Sequence, residues 1–213
     1  MKKYQIIYAD CPWSYNDQGC QGTMANHYKG MKLEDIKALR VNEIADDNCI
    51  LFMWATYPML KEALEVIEAW EFRYITCAFC WVKKNPNGQG IYSGLGHWVN
   101  GNAELCLMGK KGKPQRIAKN VKQIIQHPRQ RHSKKPDEVR DRIVKLMGDI
   151  PRIELFTRPD PQLKLDGTNT FDGWSVWGNE VESDINLIGI EYICEEHKTK
   201  GCVTCKTKPS MET

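Results

Sequence analysis

The stretch YADCPWSY, residues 8–15, places an acid, a cysteine, a proline and a tryptophan directly after an apolar run. The carboxylate of Asp10 is a hydrogen-bond acceptor, and the carbonyl of Cys11, held rigid by Pro12, is a second one. Trp13 adds a flat ring that could stack on a heterocycle. Two acceptors beside a ring suit the exocyclic amine of a nucleobase. The same residues also fit a plain strand-end turn with a buried tryptophan.

An exocyclic amine is a poor nucleophile because its lone pair is delocalised into the base. Acceptors on its two hydrogens would favour the pyramidal form, in which the lone pair is available, and this interaction strengthens in the transition state. A base that reacts in this way must leave a duplex or arrive single-stranded. Residues 10–13 are therefore a candidate site for group transfer to a base amine.

Apolar runs predict the elements that position this stretch. Helical spacing predicts helices over Leu33–Ala45, from Thr56 onward, and from Pro136 to a stop at Gly148. Strands alternate with these helices, which indicates an α/β sheet covered on both faces. Residues 1–181 are expected to form this domain, and residues 182–213 a separate tail. The predicted strands are Tyr4–Ala9, Cys49–Trp54, Tyr74–Val82, Ala103–Met108, Arg152–Phe156 and a closing segment at Trp174–Val181.

Ligands of such sheets bind beyond the carboxyl ends of the strands. Charged side chains that follow a predicted strand should therefore meet at one edge of the sheet. We expect Lys83 to contribute to the substrate side of that edge. The side chains in question are Asp10, Lys83, Lys111 and Arg158.

The composition is that of a globular protein, with 213 residues, 41% hydrophobic, 27% charged and a net charge of +3. No apolar run approaches the roughly 20 residues of a membrane-spanning helix. The N-terminus does not resemble a signal peptide, so we expect a cytoplasmic protein with free cysteines. Residues 110–135 are rich in Lys and Arg and contain no acid. This segment is either a solvated basic loop or a track for nucleic-acid phosphates.

The tail has four soft metal ligands within twelve residues, namely Cys194, His197, Cys202 and Cys205. Their spacing suits a small tetrahedral zinc site. The alternative is a disordered tail in which the cysteines are incidental.

Several motifs in order carry a family resemblance. ADCPW resembles the [DN]PP[WYF] motif of amino-group methyltransferases. Its tryptophan form, DPPW, marks the family related to the seventy-kilodalton subunit of the mRNA N(6)-adenosine methyltransferase, which also has prokaryotic and phage DNA-adenine members. The further segments that resemble this family are HYKGMKLEDIK at 27–37, ILFMWAT at 50–56, HSKKPDEVRDRI at 132–143, IELFTR at 153–158 and WSVWGNEV at 174–181.

The resemblance implies a permuted, Rossmann-like methyltransferase fold, in which the catalytic motif precedes the cofactor strand. It implies S-adenosylmethionine as the methyl donor and the N6 amine of adenine as the acceptor. Among family members the chain looks most like the prokaryotic or phage ones, so DNA is the expected substrate. RNA and a catalytically silent nucleic-acid-binding subunit are the alternatives. The oligomeric state is left open, with a dimer among the possibilities.

Roles for the first motif follow from the resemblance. Asp10 would bind the target amine near the methionine part of the cofactor, and the Cys11 carbonyl would be the second acceptor. Pro12 would fix the backbone, Trp13 would stack on the adenine, and Tyr28 would contact the base or its loop. Cys11 replaces the family's first proline but keeps the carbonyl. A nucleophilic role for its thiol is disfavoured, because methylation of an amine needs no covalent step.

Cofactor contacts are implied at four other positions. Lys111 would pair with the cofactor carboxylate, although it is one lysine among many. Arg158, Asn179 and Glu180 would hold the ribose and nearby atoms. Asn179 and Glu180 fit a helix cap or turn equally well.

Overall fold

The computed structural model of the protein describes residues 2–14, 30–94, 98–130, 134–158, 171–188, 193–194 and 199–200. Its helices are α1 (Leu33–Lys37), α2 (Val41–Ile44), α3 (Leu60–Ala69) and α4 (Glu138–Met147), with a 3-10 turn at Tyr57–Met59. No helix among the described residues is long and apolar enough to cross a bilayer. The strands are β1 (Tyr4–Ala9), β2 (Ala45–Ala55), β3 (Arg73–Lys84), β4 (Ala103–Lys111), β5 (Ile124–Pro128), β6 (Arg152–Leu155), β7 (Ser175–Trp177), β8 (Ile193–Cys194) and β9 (Thr199–Lys200).

Seven strands form one sheet in the order β5-β3-β4-β2-β1-β6-β7, and β8 and β9 form a separate pair. β1 pairs in parallel with β2 and β6, and β6 pairs in parallel with β7. β4 is antiparallel to both of its neighbours, while β5 is parallel to β3. Within this sheet β4 alone therefore runs against the other strands. The mixed α/β sheet confirms the predicted fold class.

Apolar cores lie on both faces of the sheet, as the alternation of side chains along a strand requires. In β1, Ile7 and Ala9 join the core under α1, α2 and α3. Ile6 and Tyr8 point to the other face, where α4 packs against them. The near-continuous apolar sequence of β1 reflects this burial on both sides.

The helix predicted over Leu33–Ala45 is two short helices, because the chain turns between them. The N–H of Arg40 donates to the carbonyl of Leu187 rather than to a helical carbonyl, at 3.2 Å. This turn lets both Ile36 and Ile44 reach full burial in the same core.

The first core extends past the predicted domain boundary. Leu187 is fully buried in it, and Ile185 and Ile188 pack against it. The segment to residue 188 therefore packs with the domain predicted to end near Val181.

The basic segment 110–135 is not a single loop. It begins within β4, and residues 124–128 form β5 at the edge of the sheet. Only Ile125 of this strand is buried, so its sequence lacks the apolar run that marked the other strands.

Candidate active site

Asp10 lies at the carboxyl end of β1, in the middle of the sheet. The preceding residue, Ala9, is paired with Met53 of β2 and with Leu155 of β6. The carboxylate therefore stands at the topological position where open α/β sheets bind their ligands. Its Oδ2 accepts a hydrogen bond from Nζ of Lys135 at 2.9 Å.

Alternating charges extend from Asp10 along this edge. Nζ of Lys135 also lies 3.4 Å from Oε2 of Glu104, and Nζ of Lys83 lies 2.6 Å from Oε1 of the same carboxylate. The Lys135 side chain is 12% exposed, and Glu104 is buried. Buried charges need such partners, so each member of this ionic chain depends on its neighbours.

These contacts set the protonation states of the ionic chain. Burial opposes the charged form of Glu104, but Lys135 and Lys83 outweigh it and hold the pKa of the carboxyl below its ordinary value. Burial also opposes the charge of Lys135, whereas Asp10 and Glu104 raise the pKa of its ammonium well above the usual range. Glu104 and Lys135 are therefore both charged at neutral pH.

Two tryptophans form the floor beneath the lysines. Nζ of Lys135 is 5.7 Å from the ring centroid of Trp54, and Nζ of Lys83 is 5.3 Å from that of Trp81. The two rings meet edge-on, with centroids 6.4 Å apart. Cation–π attraction adds to the ion pairs and restricts where each ammonium can move.

The residues after Asp10 form a tight, tethered turn. The N–H of Trp13 donates to the carbonyl of Cys11 at 2.9 Å, and the carbonyl of Pro12 accepts from the N–H of Met31 at 2.8 Å. A carbonyl oxygen has two lone pairs, so that of Cys11 retains acceptor capacity. The turn is therefore held from both sides.

Trp13 does not present an open stacking face, which corrects its assigned role. The residue is 5% exposed and belongs to the apolar core. Its Nε1 donates to the carbonyl of Trp54 at 3.3 Å. The Trp13 side chain therefore fits the alternative interpretation, a strand-end turn with a buried tryptophan.

The Cys11 thiol is also buried, and burial raises its pKa well above the ordinary value. A thiol in this state is not a ready nucleophile, because the thiolate is the reactive form.

Arg158, Asn179 and Glu180 reach the same edge as Asp10. β6 and β7 are parallel to β1, and these residues follow the ends of the two strands. The N–H of Thr157 donates to the carbonyl of Trp177 at 3.0 Å, which ties the two strand-end turns together. Asn179 and Glu180 lie in a bend rather than a helix.

Phe156 makes the turn out of β6 in an uncommon backbone conformation. Its φ is 63°, in the left-handed region that bulky residues rarely occupy. Its ring packs edge-on against Trp177, with centroids 5.3 Å apart. Such strain persists only where packing overdetermines it, and it is frequent at functional sites.

Lys111 lies at the opposite edge of the sheet, so the expectation that it joins Asp10 is wrong. β4 is antiparallel, and Lys111 is paired with Cys49, near the start of β2. Its Nζ lies 3.4 Å from the carbonyl of Asn42 and 3.8 Å from the carboxylate of Glu71. The carboxyl end of β4 lies at the other edge of the sheet, because β4 runs opposite to its neighbours.

Two residues of the ionic chain escaped the sequence analysis. Lys135 belongs to the HSKKP segment, and its position before α4 brings it to Asp10. Glu104 is a carboxylate inside the buried strand AELCLM, and an acid in an apolar run was the signal available for it.

The remaining assigned residues lie outside the described part of the chain. Tyr28 is one of them, as are His197, Cys202 and Cys205 of the tail. Cys194 ends β8, whose backbone pairs with β9. Within the described residues no cluster of three or more His, Cys, Asp or Glu side chains could hold a metal ion.

Comparison with known proteins adds a family match. A family model described as MT-A70 matches residues 4–180. The chain is 36% identical over 217 residues to the Type II methyltransferase M.MunI of a Mycoplasma species, covering 92% of this chain and 86% of the relative. It is 29% identical over 182 residues to the N(6)-adenosine-methyltransferase catalytic subunit METTL3 of Homo sapiens, covering 84% of this chain and 28% of the relative. An N(6)-adenosine-methyltransferase MT-A70-like protein of Drosophila melanogaster is 29% identical over 210 residues, covering 98% of this chain and 32% of the relative. The chain thus spans about a third of these two animal relatives and most of M.MunI.

Proposed function

Because the chain belongs to the MT-A70 family of S-adenosylmethionine-dependent methyltransferases, we propose that it methylates the exocyclic N6 amine of adenine in DNA. The observation that carries this proposal is Asp10, fixed by a buried lysine at the ligand-binding edge of the sheet. DNA is favoured over RNA because the similarity to the Type II methyltransferase covers most of both chains. The N(6)-adenosine methyltransferases share only one region with this chain.

In this proposal the Asp10 carboxylate holds the target amine. Oδ2 accepts the Lys135 hydrogen bond, and Oδ1 provides acceptor capacity for an amine hydrogen. The carbonyl of Cys11 takes the second hydrogen. The amine gains positive charge as it is methylated, so a carboxylate beside it stabilises the transition state more than the ground state. Lys135 keeps that carboxylate in position.

The edge also fits the expected cofactor, which supplies an electrophilic methyl group on a sulfonium sulfur. S-Adenosylmethionine has a carboxylate, an ammonium and ribose hydroxyls to satisfy. Lys135 and Arg158 are the cations suited to the carboxylate. Asn179 and Glu180 are polar groups suited to the hydroxyls, and Asp10 is suited to the ammonium.

The role assigned to Lys111 passes to Lys135 in this scheme. We expect Lys135→Ala to lower kcat/KM by about 10²-fold, because Asp10 loses the ammonium that holds it and the buried Glu104 keeps only Lys83. Lys111→Ala should change kcat/KM by less than about threefold, since an exposed ion pair contributes little. Steady-state methylation with both variants measures this contrast.

Cofactor binding separates the two lysines further. In a calorimetric titration, the affinity for S-adenosylmethionine should be weaker for Lys135→Ala than for wild type and unchanged for Lys111→Ala. A Lys111→Ala protein that loses cofactor affinity while Lys135→Ala keeps it would restore the original assignment.

Substitution of Cys11 should be mild, because the proposed contact uses the main-chain carbonyl. We expect Cys11→Ala to retain methylation within about threefold and to unfold with about 1 kcal/mol less stability from the small cavity. Cys11→Pro restores the family pattern and should also be active. Methylation rates with and without a thiol-alkylating reagent check this. Loss of activity in Cys11→Ala with a stable fold would indicate a chemical role for the thiol.

The methylated substrate is identified by transfer of a tritiated methyl group to DNA and to RNA in parallel. N6-Methyladenine in the hydrolysed DNA, found by mass spectrometry, is the expected result. Labelling of RNA alone would favour the RNA alternative. Cofactor binding without transfer to either would favour the silent binding subunit.

Two further properties belong to the proposal. A bacterial methyltransferase relative supports a cytoplasmic location, in a bacterium or a phage-infected cell. Zinc binding by Cys194, His197, Cys202 and Cys205 remains a prediction from spacing alone. Metal analysis of the purified chain, together with a thiol titration, decides it: absence of zinc with free thiols removes the site.

A further inference from the structure

The loop between β3 and β4 carries a tryptophan that is almost fully exposed. Trp98 is 97% exposed, and its neighbour Val99 is 78% exposed. Every other tryptophan of the chain is at most 8% exposed. Large aromatic side chains are normally well buried, and a cluster of exposed apolar residues marks a contact surface.

This loop projects from the edge that holds Asp10. β3 ends and β4 begins there, and β4 begins with the residues that include Glu104 of the ionic chain. The N–H of Lys83 donates to the carbonyl of Asn102 at 2.8 Å, which closes the base of the loop. Trp98 therefore extends from the side of the molecule on which the substrate must bind.

The loop is braced where it carries the tryptophan. Gly94 and Gly101 exchange two hydrogen bonds of 3.1 Å each, which pairs the backbone on the two sides of the loop below Trp98. A Cβ atom at Gly94 would lie 2.8 Å from the carbonyl oxygen of Gly101, so this close approach requires glycine. Lower in the loop, Ile91 is bridged to Lys84. The tip is thus presented on a paired stem.

Two neighbouring cations, Lys84 and Arg129, lie at the base of the loop. The guanidinium of Arg129 lies 4.2 Å from the ring centroid of Tyr92, and the N–H of Arg129 donates to the carbonyl of Lys84 at 3.2 Å. Residues 83–102 contain no acid. An exposed ring on a loop that has cations at its base complements a nucleic acid, which offers base faces between phosphates.

We propose that Trp98 inserts into the base stack of duplex DNA beside the target adenine and supports the strand from which that base has been extruded. This inference rests on the proposed function and names a residue for the duplex-opening step it requires. An adenine that leaves the helix breaks its stacking with both neighbours. An apolar ring that enters the gap restores part of that stacking, as wedge side chains do in other DNA-binding proteins. Lys84 and Arg129, which are neighbours at the base of the loop, would neutralise phosphates of the bound strand.

The test compares native and heat-denatured DNA as methyl acceptors, which requires no knowledge of the recognition sequence. Trp98→Ala should lower kcat/KM on native duplex by about 10- to 100-fold, because the stacking contribution is lost. On denatured strands the same variant should stay within about threefold of wild type, since no duplex has to be opened. Trp98→Phe keeps a flat ring and should recover most of the duplex activity.

Tyr74→Ala is the matched control. Tyr74 is an exposed aromatic residue in the first part of β3, paired with Gly109 near the far end of β4, at the edge opposite Asp10. Tyr74→Ala should leave kcat/KM unchanged on both native and denatured DNA. Equal losses on duplex and denatured DNA for Trp98→Ala, or no loss on either, would overturn the wedge role.

The wild-type arm separates this inference from the proposed function. If wild type methylates neither form of DNA, the proposal of DNA methylation itself has failed. Sedimentation of wild type and Trp98→Ala without DNA tests whether a second copy of the chain binds at Trp98 instead of DNA. A wild-type dimer that becomes monomeric in Trp98→Ala would show that a second copy covers the tryptophan, and the wedge would be wrong.

Discussion

Asp10→Ala is expected to reduce methyl transfer by about 10³-fold or more while the protein remains folded. The substitution removes the carboxylate that we propose to hold the amine. Lys135 keeps Glu104 as a partner, so the buried cation is not left alone. Thermal unfolding should therefore change little, and initial rates of tritiated-methyl transfer should fall to the assay background.

Asp10→Asn separates charge from shape at the same position. The amide oxygen still accepts a hydrogen bond but does not offset the positive charge that develops on the amine. We expect a rate between those of Asp10→Ala and wild type. Glu68→Ala, an exposed acid on α3, is the matched control and should retain full activity. Near-normal turnover by folded Asp10→Ala would remove the catalytic assignment.

Glu104→Gln is expected to lower the free energy of unfolding by about 2–4 kcal/mol at neutral pH. Glu104 is the shared counter-ion of Lys135 and Lys83, and a neutral amide leaves both ammonium groups short of negative charge. The lysines would then shift toward Asp10 and the solvent. Urea unfolding of the two proteins measures the difference in stability.

The pH dependence of that difference identifies its origin. The ordinary pKa of Glu104 is 4.5, and the folded protein lowers it. Its stabilising effect is therefore complete above about pH 4.5 and is lost as the pH falls through the lower, folded-state pKa. The difference in the free energy of unfolding between wild type and Glu104→Gln should therefore disappear at acidic pH. Glu43→Gln, which breaks a half-exposed pair with Arg40, should give a small difference at every pH. A gap that stays constant down to pH 3 would contradict the ionic origin.

The sequence predicted the central strands because strands that are buried on both faces have a continuous apolar sequence. β1 and the second half of β2 are apolar runs that end at polar residues, and α4 ends at a glycine with φ of 97°. Asp10 was found for the same reason, since it interrupts the first of these runs. β5 was missed because an edge strand with one buried residue has no apolar run.

Strand direction could not be obtained in the same way. A central strand reads as apolar whether it is parallel or antiparallel to its neighbours, so the reversal of β4 left no signal in its composition. That reversal sends Lys111 to the far edge and brings Glu104 to the near one. The orientation of the Trp13 ring also depends on contacts distant in sequence, with Trp54 and the segment at Met31.

The closed base of the β3–β4 loop has a consequence for how such enzymes diversify. The chain leaves the sheet after Lys84 and returns at Ala103, and a hydrogen bond from the N–H of Lys83 to the carbonyl of Asn102 closes the loop. Residues between them can be lengthened, shortened or exchanged without changing the register of β3 and β4, and closing a longer loop adds little entropy cost. The loop can therefore vary in length and composition while the catalytic edge stays as it is.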